Sequence, residues 1–421
     1  MKEEHVIKSL KLTSIVFGLI LGMLSIFLVL NESFALFTSK TDKVTYSLKT
    51  YKLPIHTTGG MFQKALRDRG YKSKITQVVF EANKDLEAID KSIDYFDISD
   101  RQNGSVLGYM TNDETASNKY ILHIAFADEK VYANSDSRRL FSADQNDNVV
   151  FSQLKEIENI EVLDTSKVTN MEKMFYDCSN FLNLDVTHFN TSNVTSMSQM
   201  FQNCSKLTDL DVTHFDTSNV KNMLGMFSAC SMLTSLDLSR FNTSNVTNMQ
   251  AMFTDCSNLT SLDLSNFDTS NVTNMTIMFR NCSALLNLDV TSFNTSNVIL
   301  MLGMFFNCSS LSNLDITNFD TKNVTDMGSM FQNCSSLLSI DLTHFNTGKV
   351  KIMIHMFSGC SKLEEIDLSS FDTTKVIEGK EYYMFYDCSS LTTVYARTND
   401  DASRIRGSEG FPSGATVIVK A

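Results

Sequence analysis

The sequence has no tryptophan, two prolines and 16 glycines in 421 residues. So little proline and glycine excludes a collagen-like chain and a Pro/Gly linker array. Positive charge is in deficit: 36 Lys and Arg against 48 Asp and Glu leave a formal net charge of −12. A general nucleic-acid binder or a polybasic membrane-surface protein needs a cationic footprint, so neither is expected. Nine cysteines are few and odd in number, which excludes a dense disulfide scaffold. None precedes Cys178, so no lipoprotein cysteine is expected near the start. No CxxC pair is present for zinc. The seven histidines (His5, His56, His123, His188, His214, His344, His355) fall in no nucleophile elbow, zinc motif or phosphate loop. The sequence predicts neither an enzyme nor a cofactor or metal site.

The first feature present is an apolar run from Leu12 to Leu30 with no charged residue, close to the ~20 residues that cross a bilayer. Lys2, Lys8 and Lys11 lie before it, on the side that stays cytoplasmic. Ser33-Phe34-Ala35 follows as a small-x-small site. Residues 1–35 therefore read as a cleaved signal peptide or an uncleaved membrane anchor, and the remainder is expected outside the cytoplasmic membrane.

The second feature is a repeat. Cys178, Cys204, Cys230, Cys256, Cys282, Cys308, Cys334, Cys360 and Cys388 are spaced by 26 seven times and then by 28. The unit reads MFxxCSxLxxLD[LVI][ST]xF[DN]TSNVTNMxx, starting first at Met174, and half of an earlier unit is visible as VLDTSKVTNMEK. Seventeen of the 22 Met fall in two columns, and two Phe columns begin at Phe175 and Phe189. Fixed apolar positions at a constant period mean that no unit closes its own core and each stacks on its neighbours. The fold class predicted is a solenoid of 26-residue coils. LDLS alternates like a half-buried strand, and VTNMxxMFxxCSxL has the three-to-four spacing of a short helix or 3-10 turn. Each coil should give one strand to a parallel sheet and one helical turn.

Three polar or reactive columns follow. The cysteines read as small hydrophobes of the core, because stacked Cβ atoms ~4.8 Å apart are too distant for disulfides. Aspartates of the strand should point outward beside hydroxyls: Asp211 with Thr213, Asp237 with Ser239, Asp263 with Ser265, Asp289 with Thr291, and Asp315 with Thr317. They form the candidate binding face, an acidic and hydroxyl-rich surface that could also hold cations weakly; the alternative is a solvated sheet face. A third column alternates Asp164, Asn190, Asp216, Asn242, Asp268, Asn294, Asp320, Asn346, Asp372. It reads as a cap ladder in which each Asn amide separates and bonds the carboxylates beside it, or as the trace of a duplicated two-unit segment. Asn193 and its equivalents in TSNV should satisfy backbone groups in the turn.

Around the array, residues 36–74 read as a linker with a short helix at FQKALRDRG, and 75–160 as strands capping the first coil. Residues 161–395 form the solenoid and 396–421 its C-terminal cap. The units resemble the BspA-like leucine-rich-repeat surface proteins, a family also represented among mycoplasma surface proteins. The resemblance covers about 160–395 and implies an exported cell-surface protein with a leucine-rich-repeat-like fold. It also implies adhesion to host or microbial proteins or glycans, and no shared catalytic residues. A passive envelope spacer is the alternative. This sequence departs from such proteins in having neither a lipoprotein cysteine nor an LPxTG-type sorting end, which leaves the N-terminal apolar segment as the visible route to a membrane.

Overall fold

The computed structural model describes residues 59–71, 73–90, 92–99, 104–143, 150–379 and 383–420. The apolar run at 12–30, the cleavage site after Ala35 and most of the linker lie outside them. Among the described residues no helix is long and apolar enough to cross a membrane.

The first described element is α1 (Gly59–Asp68), where FQKALRDRG predicts a helix. Its apolar face, Phe62 and Leu66, is buried against the sheet that follows. That sheet contains β1 (Ile75–Glu81), β2 (Tyr95–Asp97), β3 (Val106–Asn112), β4 (Tyr120–Phe126) and β6 (Glu156–Glu158), in the order β2-β3-β4-β1-β6. β1 runs parallel to both β4 and β6, whereas β2-β3-β4 is an antiparallel meander. Glu81, Tyr109, Thr111 and His123 are joined across β1, β3 and β4. Tyr109 Oη donates to Glu81 Oε2 at 2.7 Å, His123 Nδ1 lies 3.2 Å from Glu81 Oε1, and Thr111 Oγ1 lies 2.9 Å from His123 Nε2. The Tyr109 ring stacks on the imidazole at 4.5 Å.

Hydrogen bonding of the repeat type starts earlier in the chain than the cysteine column. β5 (Val131–Tyr132) pairs in parallel with β7 (Leu163–Asp164). Phe141 N donates to Met174 O at 2.9 Å, and the Phe141 ring stacks on Phe175 at 5.7 Å. The segment Ser137-Arg-Arg-Leu-Phe141 is thus a degenerate repeat, with Leu140 where later units carry Met.

The chain is a repeat protein with little helix, and equivalent residues of successive repeats are bonded to one another. The continuous backbone ladder runs through the position before the Met column that starts at Met171, in parallel bridges from Asp136 through Asn170, Ser196, Asn222, Asn248, Asn274, Leu300 and Asp326 to Ile352. Beside it the first Phe column stacks from Phe175 to Phe385 with ring centroids 5.5 to 5.9 Å apart. One contiguous apolar core extends from Phe62 to Val417.

Two local expectations are corrected. MxxMFxxC is not a helical turn. Met171, Lys173, Phe175 and Asp177 donate their amides to Ser196, Ser198, Met200 and Gln202 of the next repeat. Met174, Tyr176 and Cys178 donate theirs three residues back within their own repeat. A helix keeps its amides inside itself; here every second one leaves. The geometry needs left-handed residues, and Lys173 (φ 57) and Asp177 (φ 64) supply them in this unit.

The strand of LDLS is also shorter than expected. It appears as two-residue pairs, β8 (Ser261–Leu262) with β9 (Asn287–Leu288). It reaches four residues at the C-terminal end, in β10 (Glu365–Leu368), β11 (Thr393–Ala396) and β12 (Thr416–Val419). In this segment Thr187 N donates to Asp185 Oδ1 at 2.9 Å, and the same bond recurs down the column, so this amide turns inward instead of across. β11 and β12 carry Tyr395 and Ile418 in register with Asp367, and there the ladder lengthens. α2 (Asn399–Arg406) crosses between them, capped by Thr398 Oγ1, which accepts from Asp401 N.

Candidate functional site

Each aspartate of the strand column is fixed by its own repeat. Thr213, Thr291 and Thr317 donate hydroxyl and amide to Oδ1 of Asp211, Asp289 and Asp315, the hydroxyls at 2.6 to 2.7 Å. Ser239 and Ser265 donate their amides to Asp237 and Asp263. The hydroxyl bond is the main cause that holds Asp211, Asp289 and Asp315 below the ordinary aspartate value, with the amide next. At Asp263 the Ser265 amide leads. All five carboxylates are exposed and ionised at neutral pH.

Asp289, Thr291, Asp315 and Thr317 come together with Asp341 around one shallow depression of about 520 Å³ spanning three repeats. Asp237 and Ser239 line a second, of about 700 Å³, with Thr213, His214 and Arg240. Asp211, Asp263 and Ser265 lie on the same column but line neither. Oδ2 of Asp289, Asp315 and Asp341 has no protein donor among the described residues. Past the central repeats the column meets a cation of its own chain, where Lys420 Nζ sits on Asp367 Oδ2. Among the described residues no three His, Cys, Asp or Glu side chains converge as metal ligands.

Three neighbours of the face were not singled out from the sequence. Asn287, Asn313 and Ser339 sit two residues before the aspartates and line the same depression; alternation along the strand puts them on the aspartate side. The signal was the polar residue just before the Leu or Ile that precedes each aspartate in the Lxx[LI]D string.

The other columns are structural. Each cysteine is buried, and its Sγ–H donates to the carbonyl of a Phe in the preceding repeat, as Cys256 does to Phe227 O at 3.2 Å. Burial drives the thiols upward, Cys256 and Cys334 to about 12. The Asp/Asn alternation does not work as the amide spacer expected of it. Asn190 Oδ1 and Asp216 Oδ1 both accept the amide two residues on, at 3.1 and 3.0 Å, so either residue closes the same turn. Between repeats the bond is made instead by the buried threonine that follows, Thr191 Oγ1 to Asp216 O at 2.9 Å. The Asn of TSNV does reach its neighbour: Asn219, Asn245 and Asn271 donate to Ser192, Ser218 and Ser244 carbonyls at 2.7 to 2.8 Å.

Comparison with known proteins gives one family. The model described as "Mycoplasma protein of unknown function, DUF285" matches four overlapping stretches, residues 145–258, 208–314, 230–337 and 301–408. No curated protein matches the chain.

Proposed function

The chain belongs to the DUF285 family, and from that premise we propose that it is an exported, BspA-like leucine-rich-repeat solenoid that binds protein or glycan ligands at a cell surface through its aspartate column. The reading rests on one observation: Asp289, Asp315 and Asp341 hold fixed carboxylates around a common depression, each with Oδ2 open to an outside donor. Hydroxyls of a glycan or ammonium groups of a protein are donors of the required kind, and Lys420 on Asp367 is the internal precedent. Each single site is exposed and weak, so binding draws on several repeats engaged at once. Export rests on the apolar segment at 12–30. A passive envelope spacer is the second reading, supported by the bonds that already engage every Oδ1.

The test is binding to arrayed glycans and to host-matrix and microbial surface proteins. It is repeated with Asp211, Asp237, Asp263, Asp289 and Asp315 changed together to Asn. Asparagine keeps Oδ1 as the acceptor of the turn, so the fold should persist. Ligands retained by the parent and lost by the variant support the proposal. A parent that binds nothing leaves the spacer reading.

A further inference from the structure

On a separate part of each repeat, the TSNV turn, the surface gains positive charge towards the C-terminal end. Asn193, Asn219, Asn245, Asn271, Asn297 and Asn323 occupy one column, and Lys349 and Lys375 continue it. Lys351 adds a third cation in the column that holds Thr325 one repeat earlier. The three lysines border a depression of about 620 Å³ completed by Thr325, Gly348 and Ile377, with no carboxylate in its lining. None of the three makes an ion pair among the described residues, whereas Lys322 nearby is neutralised by Asp320 at 2.6 Å. Lys349 Nζ is steadied by Asn323 Oδ1 at 2.7 Å. A second depression of about 620 Å³ shares Thr325 and Lys349 and continues along Asn323, Asn297, Thr273 and Asn271.

We infer that this trough binds a linear acidic polysaccharide, its sulfate or carboxylate groups on Lys349, Lys351 and Lys375 and its hydroxyls on the amides and hydroxyls of the preceding repeats. The inference is independent of the aspartate column. The charge pattern selects this partner over other anions. An anionic membrane presents a broad negative surface, which would meet the rest of a chain of net charge −12 as well as the three lysines, and be repelled. Single-stranded nucleic acid binds on aromatic platforms, and no aromatic side chain lines either depression. A polymer that is anionic in part and hydroxylated throughout matches a surface that is cationic at one end and amide-lined along the rest.

The probe is heparin, titrated against the full chain at 50 mM and 200 mM salt, with phosphatidylserine vesicles and inorganic phosphate as separate arms. The variant is Lys349→Asn, Lys351→Thr and Lys375→Asn combined. These are the residues that earlier repeats carry at the same positions, so folding should be preserved, and an unchanged melting temperature checks it. The expected result is heparin binding that weakens as salt rises, through release of condensed counterions, and falls at least tenfold in the variant. The five-Asn variant of the aspartate column should bind heparin no less tightly than the parent, which separates this site from the one proposed above. Absent heparin binding, equal binding by the lysine variant, or stronger lysine-dependent binding of vesicles or phosphate would overturn the inference.

Discussion

Thr373 Oγ1 donates to Asp401 Oδ1 at 2.6 Å, and the Thr373 amide donates to the same oxygen at 3.0 Å. In the preceding repeats the equivalent threonine donates to a carbonyl 25 residues on, as Thr321 does to Asn346 and Thr347 to Asp372. Thr373 has no further repeat to bond, and a buried carboxylate from the first turn of α2 takes the carbonyl's place. Arg397 Nε and Thr398 Oγ1 hold its other oxygen at 3.0 and 2.6 Å. The threonine ladder therefore ends on an anion.

Asp401→Ala should unravel the C-terminal end. It removes the acceptor of two buried Thr373 donors and leaves Arg397 with Asp372 as its one remaining carboxylate among the described residues, a loss of about 2–4 kcal/mol. Hydrogen exchange should accelerate over 393–419 while the central repeats keep their protection. Burial acts to raise the Asp401 carboxyl, but the bonds from Thr373, Thr398 and Arg397 outweigh it and leave the group below its ordinary 3.8. Its contribution is therefore complete above pH ~4 and lost as pH falls through the lowered value. Asp401→Asn should lack this acid limb; an identical limb in both proteins would refute the assignment.

The cysteine column should be silent in the native state. With all nine thiols buried and burial raising their titration, a thiol reagent at pH 8 should label almost nothing in the folded protein and nine groups in denaturant. Cys388, in the last repeat, should react first as that end opens. A denatured count below nine would mean disulfides or metal.

The array was legible because its apolar columns repeat at a constant spacing, and stacking is the one arrangement that buries them all. Phe175, Phe201 and Phe227 needed no structural information to be placed in a core. The path inside each repeat was not legible, because three-to-four spacing of apolar residues fits a helix and a run of tight turns equally well. The deciding residues are the left-handed ones, among them Asp177, Asn203, Asp255, Asn281, Asn307 and Asn333 immediately before the cysteines. Their signal was present as a column of Asn and Asp, residues that enter this conformation readily. The buried threonine of TSNV was overlooked for a related reason: Thr191, Thr217 and Thr243 never vary in a segment whose composition reads as a solvent-exposed turn.

Ala229 departs from that left-handed column at φ 57, between Asn203 and Asp255. Ala229→Asn should stabilise the protein by about 0.5–1 kcal/mol, since asparagine tolerates the conformation at lower cost than alanine. It also extends a side-chain ladder already made by Asn281 Nδ2 to Asp255 Oδ1 and by Asn307 Nδ2 to Asn281 Oδ1, at 2.5 and 3.0 Å. Gly359→Ala should act in the opposite sense. At φ 75 its new Cβ would collide with Asn333 Oδ1 and lie 3.3 Å from the Asn333 backbone. Denaturant midpoints of the two variants should therefore move apart.

The N-terminal sheet should weaken in mild acid. Burial holds His123 below its ordinary 6.5 despite the neighbouring Glu81 carboxylate, so the imidazole is neutral when the sheet is formed. A lowered value means that the unfolded chain takes up the proton first. This stability is present above pH ~6.5 and lost as pH falls through the lowered value. Hydrogen-exchange protection in β1, β3 and β4, taken relative to the intrinsic rate at each pH, should fall between pH 7.5 and 5.5, and His123→Gln should remove most of that dependence. Equal pH dependence in the variant would assign the effect elsewhere.

Removing residues 253–278 joins Met252 to Phe279 and takes out one 26-residue period. The amide of Phe227 now donates to Met252 O, and that of Phe253 to Met278 O, so the shortened chain restores each bond with the next repeat's equivalent. In a protein whose repeats contact only their neighbours, the loss is one repeat's own stability plus one interface. The product should fold, melt slightly lower and bury eight cysteines instead of nine. Removing thirteen residues, 253–265, places the strand segment of one repeat opposite the Met-Phe turns of the next. Asp and Ser side chains then fall into the columns that hold Met and Phe, at several kcal/mol for each buried charge. The long deletion should unfold cooperatively and the short one should aggregate or expose its thiols; similar behaviour of the two would show that the repeats do not form one continuous stack.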